Sequence, residues 1–244
     1  MTDGCVPGGP LDAGFAREVL DAVASGFTDQ VHFTEEMMRY PSLRGQEHTA
    51  QACFYDALAS RGYAMDRWAI DVAQIEGHPG FSPVKVDYSN AVNVVGTHQP
   101  GTIEGRSLIL NGHVDVVPTG PLEMWARPPF EPSIDGGWLY GRGGADMKAG
   151  LAAAIYAVEA VRRAGVGLQG TVEVSGTVDE ESGGLAGVAW LAERGRLNAT
   201  LTDFVIIPEP FGVDRICLGH RGVYWFDVVT YGRTAHGSMP FLGE

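Results

Sequence analysis

The spacing of apolar positions changes character near residue 90. Before it, helical spacing dominates. Leu11, Phe15, Val19, Ala22 and Val23 recur with a helical period, and a second helix is expected from about Thr28 and Asp29 to Tyr40, ahead of Pro41. Ala50, Cys53, Phe54, Ala57 and Leu58 follow i, i+3, i+4, i+7, i+8, and Gly62 stops that helix. After it, short apolar runs bounded by glycine take over. Residues 92–95 and 107–110 read as buried strands, 171–178 and 203–207 as two more. Leu151, Ile155 and Val158 mark a helix running to about Arg163, and Leu185, Val188 and Ala192 mark another. Strands alternating with helices predict crossover units, hence an α/β fold with a mainly parallel sheet flanked by helices. Residues 117–137 hold Pro121, Pro128, Pro129 and Pro132 and are expected to form a long loop. From Gly219 the pattern shifts to a long strand, Val223 to Tyr231. The expected organisation is a loose tail at 1–10, a main domain at 11–218, and the start of a smaller α+β domain at 219–244.

Composition narrows the function classes. With 17 basic and 30 acidic residues the formal net charge is −13, which disfavours nucleic acid and anionic membrane surfaces as partners. Cys5, Cys53 and Cys217 are far apart and no CxxC occurs, so neither a disulfide framework nor a zinc knuckle is expected; the thiols read as small core residues in a reducing compartment. Met1-Thr2-Asp3-Gly4 has no basic stretch followed by an apolar run, and the alanine-rich stretch 151–161 carries Glu159 and falls short of the ~20 residues that span a bilayer. The reading is a soluble, cytoplasmic protein.

Candidate chemistry sits where strands end. Residues 107–110 run into Asn111-Gly112-His113-Val114-Asp115, 171–178 into Asp179-Glu180-Glu181, and 203–207 into Pro208-Glu209-Pro210. In an open parallel sheet the C-terminal strand ends share one edge, and sites form there. Gly141-Arg142-Gly143-Gly144-Ala145-Asp146 places a further carboxylate at the start of a helix. Packed carboxylates repel unless cations compensate them, and one imidazole among several Asp and Glu suits zinc or a similar divalent ion. Each residue alone has a plainer reading: Asp146 as a helix cap, Glu180 and Glu181 as a solvated acidic pair, His113 as a satisfied core histidine. Their recurrence at successive junctions of one sheet favours the metal reading. The glycine loop at 141–144 does not complete a phosphate-binding G-x-x-x-x-G-K-[ST], and no G-x-S-x-G elbow is present.

Taken in order, GHVDVVP (112–118), GRGGADMKAG (141–150), TVDEESGG (177–184), IIPEP (206–210) and GRTAHGSMP (232–240) closely resemble the metallopeptidase family of acetylornithine deacetylase, succinyl-diaminopimelate desuccinylase, aminoacylase and glutamate carboxypeptidase. The resemblance spans about residues 15–244 and implies residue roles. His113 and Glu209 would bind a first metal, Glu181 a second, and Asp146 would bridge the two, preceding a cis peptide to Met147. Glu180 would be the general base that takes a proton from the attacking water, and Asp115 would orient His113. His236 would reach a site across a dimer to stabilise an oxyanion. The implied cofactors are two divalent ions, zinc foremost, with cobalt or manganese as substitutes. Small-molecule N-acyl amino acids or peptides would be the substrates and a homodimer the assembly. His32, His48, His78, His98 and His220 lie outside these motifs and are read as surface or core residues; Arg221 is given no role.

The family pattern calls for one more histidine, far downstream of a completed lid domain. The chain therefore reads as an N-terminal fragment of a longer enzyme, with a second metal site held only by Asp146 and Glu181 and with doubtful activity of its own. The leading expectation is metal-dependent deacylation of N-acyl amino acids. A dinuclear carboxypeptidase or dipeptidase is the alternative, and a non-catalytic module that keeps the fold is the contrasting class.

Overall fold

The computed structural model describes residues 12–79, 81, 86–196, 200–212, 214–219, 222, 226, 228, 229 and 231–243. In chain order the main elements are α1 (Ala13–Met38), α2 (His48–Ala59), β1 (Ala64–Ala69), α3 (Val72–Ile75), β2 (Val92–His98), β3 (Leu108–His113), β4 (Ser133–Asp135), β5 (Trp138–Tyr140), α4 (Ala149–Arg163), β6 (Val172–Thr177), α5 (Trp190–Glu193) and β7 (Phe204–Ile206). Residues 1–213 and 214–244 form two compact units.

The two helices expected before Pro41 are one continuous helix. Asp12 caps α1, its Oδ1 accepting the Phe15 N–H at 2.9 Å. Gly26, which local propensity favours as a break, instead lies buried where α1 crosses α4. A side chain there would meet the Arg163 guanidinium at 3.2 Å and the Tyr156 ring at 3.8 Å. Close packing against α4 outweighs the roughly 1 kcal/mol helix penalty of glycine.

Five strands form one sheet in the order β1-β2-β6-β3-β7. β3 runs parallel to both β6 and β7, as expected from the strand–helix alternation. β2 is antiparallel to β6, and β1 antiparallel to β2, so the sheet is mixed. β1 was not anticipated: its sequence, Ala-Met-Asp-Arg-Trp-Ala, has no continuous apolar run, because it is a half-exposed edge strand. The central β6 is buried at every position, as a strand covered on both faces must be. Phe54 and Leu58 of α2, Val94 of β2, Val174 of β6, and Leu151 and Ile155 of α4 fill the core. β7 closes the other edge, with Phe204, Val205 and Ile206 each about half exposed.

At the end of the proline-rich stretch expected to be a loop, β4 pairs as a hairpin with β5, which lies just beyond it. Gly136 and Gly137 both take positive φ (58° and 83°), the two-residue turn that matches strand twist and that other residues rarely adopt. The tail at 1–10 lies outside the described residues, and so does most of the strand expected at 223–231. Cys53 packs against the core as expected, whereas Cys217 is exposed. Among the described residues no helix is long and apolar enough to cross a membrane.

Candidate metal centre

Three parallel strands deliver the centre. β3 ends on His113, β6 ends at Thr177 beside it and leads to Glu180 and Glu181, and β7 leads through Pro208 to Glu209. Asp146 comes from the turn before α4, where Asp146 and Met147 have non-helical backbone angles and the bond between them is cis. Helix and strands approach closely here. A side chain on Gly112 would collide with Leu151 and Met147 at 2.8 and 2.9 Å, and one on Gly150 would strike the Pro208 carbonyl. These glycines let α4 seat Asp146 against the strand ends.

The structure brings five of the sequence-predicted residues around one imidazole. His113 is fully buried, and its Nε2 lies 3.1 Å from Asp146 Oδ1, 3.5 Å from Glu209 Oε1 and 3.7 Å from Glu180 Oε2. Candidate ligand atoms of His113, Glu180 and Glu209 lie within 4.8 Å of one another, and so do those of His113, Asp146 and Glu181. His113 is common to both groups. Glu180 stands slightly farther from the imidazole than Asp146 and Glu209 do. Asp115 meets His113 chiefly through its main chain: its carbonyl is 2.9 Å from Nδ1, while its carboxylate Oδ1 is 3.5 Å away. The Asp115 Oδ2 accepts the Glu181 N–H at 3.1 Å, tying the two strand ends together.

Electrostatics follow from this crowding. Burial disfavours a charged His113, but the hydrogen bond and charge of Asp115, with Glu209 and Glu180, outweigh it and push the imidazole up to about 10. Burial pushes the Glu209 carboxyl up to about 7; the His113 charge opposes this, and Asp146, Glu180 and Glu181 add to it. Burial also raises Glu181, with Asp146 the largest charge acting in the same direction. The cluster holds more negative charge than one imidazolium can balance. One neutral-capable nitrogen ligand with several carboxylate oxygens is the donor set of zinc, manganese or cobalt sites, so these residues fit a divalent cation.

His236 belongs to the second unit and is exposed. The Ser238 N–H donates to its Nδ1 at 3.3 Å, and the Ser238 hydroxyl is 2.8 Å from the same atom. A neutral imidazole whose Nδ1 accepts carries its proton on Nε2, and so presents a donor.

Several residues behind the centre escaped the sequence reading. Lys148 is completely buried and donates to the Met37 and Tyr40 carbonyls at 3.0 and 2.8 Å, capping the C-terminal end of α1 and anchoring the Asp146 turn. Burial lowers its ammonium to about 8. Asp179, at φ 66°, accepts from Arg44 Nε at 2.8 Å and the Tyr88 hydroxyl at 2.7 Å, which holds the turn bearing Glu180 and Glu181. A lysine placed two residues after Asp146, on the apolar side of a helix start, was the one local signal available for any of them.

Residues 109–234 match the profile of Peptidase family M20/M25/M40. A succinyl-diaminopimelate desuccinylase of Polynucleobacter necessarius subsp. necessarius (strain STIR1) is 39% identical over 145 residues, 58% of this chain and 38% of that one. Another, from Variovorax paradoxus (strain S110), is 30% identical over 219 residues, 88% of this chain and 52% of that one. This chain thus spans about half or less of the length of these curated relatives. The crystal structure of human carnosine dipeptidase 1 shares the fold, with a TM-score of 0.65 at 19% identity over 78% of this chain and 40% of that one. A family profile matched over more than half of the sequence, on a sheet whose strand ends gather one histidine and four carboxylates, places this chain in Peptidase family M20/M25/M40.

Proposed function

We propose that the centre holds two divalent cations, zinc foremost, and that it hydrolyses the amide bond of N-acyl amino acids. The observation that carries the reading is the convergence of Asp146, Glu180 and Glu209 on His113 Nε2, with Glu181 in the same cluster. The deacylase reading draws support from the desuccinylases that this chain resembles at 30–39% identity. Bound cations supply a water of lowered pKa and polarise the scissile carbonyl.

His113 and Glu209 would hold one ion, Glu181 the other, and Asp146 would lie between them. Asp115 holds the His113 ring through Nδ1 and so keeps Nε2 facing the cluster. Glu180 is left as the proton carrier. About half exposed, it takes a proton from the attacking water and delivers it to the departing amine nitrogen. His236, in a dimer, would give its Nε2–H to the developing oxyanion. N-acyl amino acids are the substrates we assign, and a homodimer the assembly.

The deciding experiment pairs zinc stoichiometry with hydrolysis of N-acetyl and N-succinyl amino acids against dipeptides. The Glu180→Gln variant should keep its zinc and lose roughly 10²–10⁴-fold in turnover, the usual contribution of a positioned acid–base group. Loss of zinc together with turnover would make Glu180 a ligand. Zinc bound without turnover on any amide would leave a non-catalytic module.

A further inference from the structure

Glu47 is a glutamate with no exposed surface, placed immediately before α2. Its loop lies along the exit of β3. Ser42 donates its hydroxyl to the Val114 carbonyl, the Val116 N–H donates to the Ser42 carbonyl at 3.0 Å, and Leu43 bridges to Val116 in parallel. The segment so bracketed contains Asp115, itself fully buried. Each of these carboxyl groups has one oxygen accounted for. Glu47 Oε1 accepts the Gly45 N–H at 2.9 Å, and Asp115 Oδ2 accepts the Glu181 N–H at 3.1 Å. Among the described residues Glu47 Oε2 and Asp115 Oδ1 are both buried without a hydrogen-bond donor, and so is Gln51 Oε1, one helical turn beyond Glu47.

Buried acceptors without donors are expensive, and two bare carboxylates in one dry region repel as well. A single proton removes both problems. It neutralises one carboxyl and turns its orphaned oxygen into a donor for the other. We propose that Glu47 is a positioning residue of the centre: its protonated carboxyl donates to Asp115, directly or through one enclosed water, and thereby fixes the residue that holds both His113 and Glu181.

The proton belongs on Glu47. Asp115 Oδ1 lies 3.5 Å from the His113 Nδ1. Glu47 faces two negative groups, Asp115 and Asp179, the latter paired with Arg44; burial first, and then these charges, push its carboxyl up to about 7 against the backbone hydrogen bonds of Gly45 and of Glu47 itself.

The consequence for metal binding rests on the proposed metal centre, but the proton does not, so the two are tested apart. Infrared difference spectra of the metal-free chain, wild type minus Glu47→Gln, recorded at a pH below the Glu47 titration, should show a protonated carboxylic C=O band that shifts in D₂O. Absence of that band overturns the proposal. Zinc titration then follows the consequence. Glu47→Leu, which cannot donate, should lose roughly 10–100-fold in affinity, as removal of outer hydrogen-bond partners does. Glu47→Gln, which can, should retain most of it. Equal losses in the two variants would overturn the positioning role. Should the leucine variant fail to fold, the band and the glutamine variant decide. Should zinc fail to bind the wild type, the metal reading falls while the band still decides the proton.

Discussion

Behind His113 the charged groups are sealed away: Glu47, Asp115, Lys148 and Asp179 are all at most 3% exposed. In front of it the side chains of Asp146 and Glu180 are about half exposed, and that of Glu209 is one-fifth exposed. The two sides use the same residue types under opposite conditions. Behind, nearly every charge has a fixed partner of definite geometry, since an unpartnered one would be costly in a dry interior. In front, carboxylates face one another across solvent, and their mutual repulsion is a latent affinity for cations. The back therefore determines shape, and the rim determines chemistry. Substitutions behind should damage folding first, whereas substitutions at the rim should damage cation binding and leave the fold intact.

The largest expected effect is behind. Lys148→Met removes two charge-assisted hydrogen bonds, worth roughly 1.5–3 kcal/mol each, and leaves the Met37 and Tyr40 carbonyls without that donor. Relief from burying an ammonium offsets part of this. A net loss of about 3 kcal/mol, or a fall in Tm of about 6–12 °C for a chain of this size, is expected in thermal unfolding. An unchanged Tm would mean that the back is not the rigid side.

At the rim the order of effects reverses. Zinc at a hundred times its dissociation constant should stabilise the wild type by about 2.7 kcal/mol. Asp146→Asn should erase that gain while leaving the metal-free stability within about 0.5 kcal/mol, as expected for an exposed site. Chemical denaturation with and without zinc separates the two quantities. A destabilised metal-free variant would show that Asp146 belongs to the rigid side.

The contrast also explains what could be read from the sequence. The rim was legible because its residues follow apolar strands directly, so that strand ends and carboxylates coincide along the chain. His113, Glu180, Glu181 and Glu209 carried that local signature, and Asp146 stood after a glycine loop at a helix start. The back was not legible, because burial of Glu47, Lys148 or Asp179 arises from segments distant in sequence: Ser42 against Val114, Lys148 against α1, Arg44 against Asp179. No local pattern separates a sealed glutamate from a surface one. The same limit produced the errors in the fold. The stretch before Pro41 reads as two helices until α4 is packed against Gly26, and the antiparallel pairing of β1 and β2 depends on partners that an alternation of strands and helices does not specify.

The pH dependence of stability probes the sealed side without a large structural change. The Glu47 carboxyl is raised to about 7 in the fold against 4.5 in an unfolded chain. The folded state therefore holds the extra proton. The resulting stability is fully present below about pH 4.5 and is lost as pH rises through 7. Between pH 5 and 7 the loss should be about 2 kcal/mol, on the order of 1.4 kcal/mol per proton and pH unit where the two states differ fully. Urea unfolding of Glu47→Gln across that range should show a slope shallower by this amount. An unchanged slope would place the pH dependence elsewhere in the molecule.

The smallest effect comes from an ion pair at the β4–β5 hairpin. Arg127 pairs with Asp135 and donates to Ser133 Oγ at 2.8 Å, with its guanidinium 4.9 Å from the centre of the Tyr140 ring. In chemistry this is the pairing of Arg44 with Asp179. The difference is the exposure of the acid: Asp135 is largely in water, whereas Asp179 is buried and depends on its partner. Water screens the exposed pair and already solvates each charge, so Arg127→Ala should cost only about 0.5–1 kcal/mol, including the contact with Tyr140. Thermal unfolding of this variant beside Lys148→Met is the sharpest test of the contrast. Equal losses would mean that pairing alone, and not the removal of water, makes the sealed side rigid.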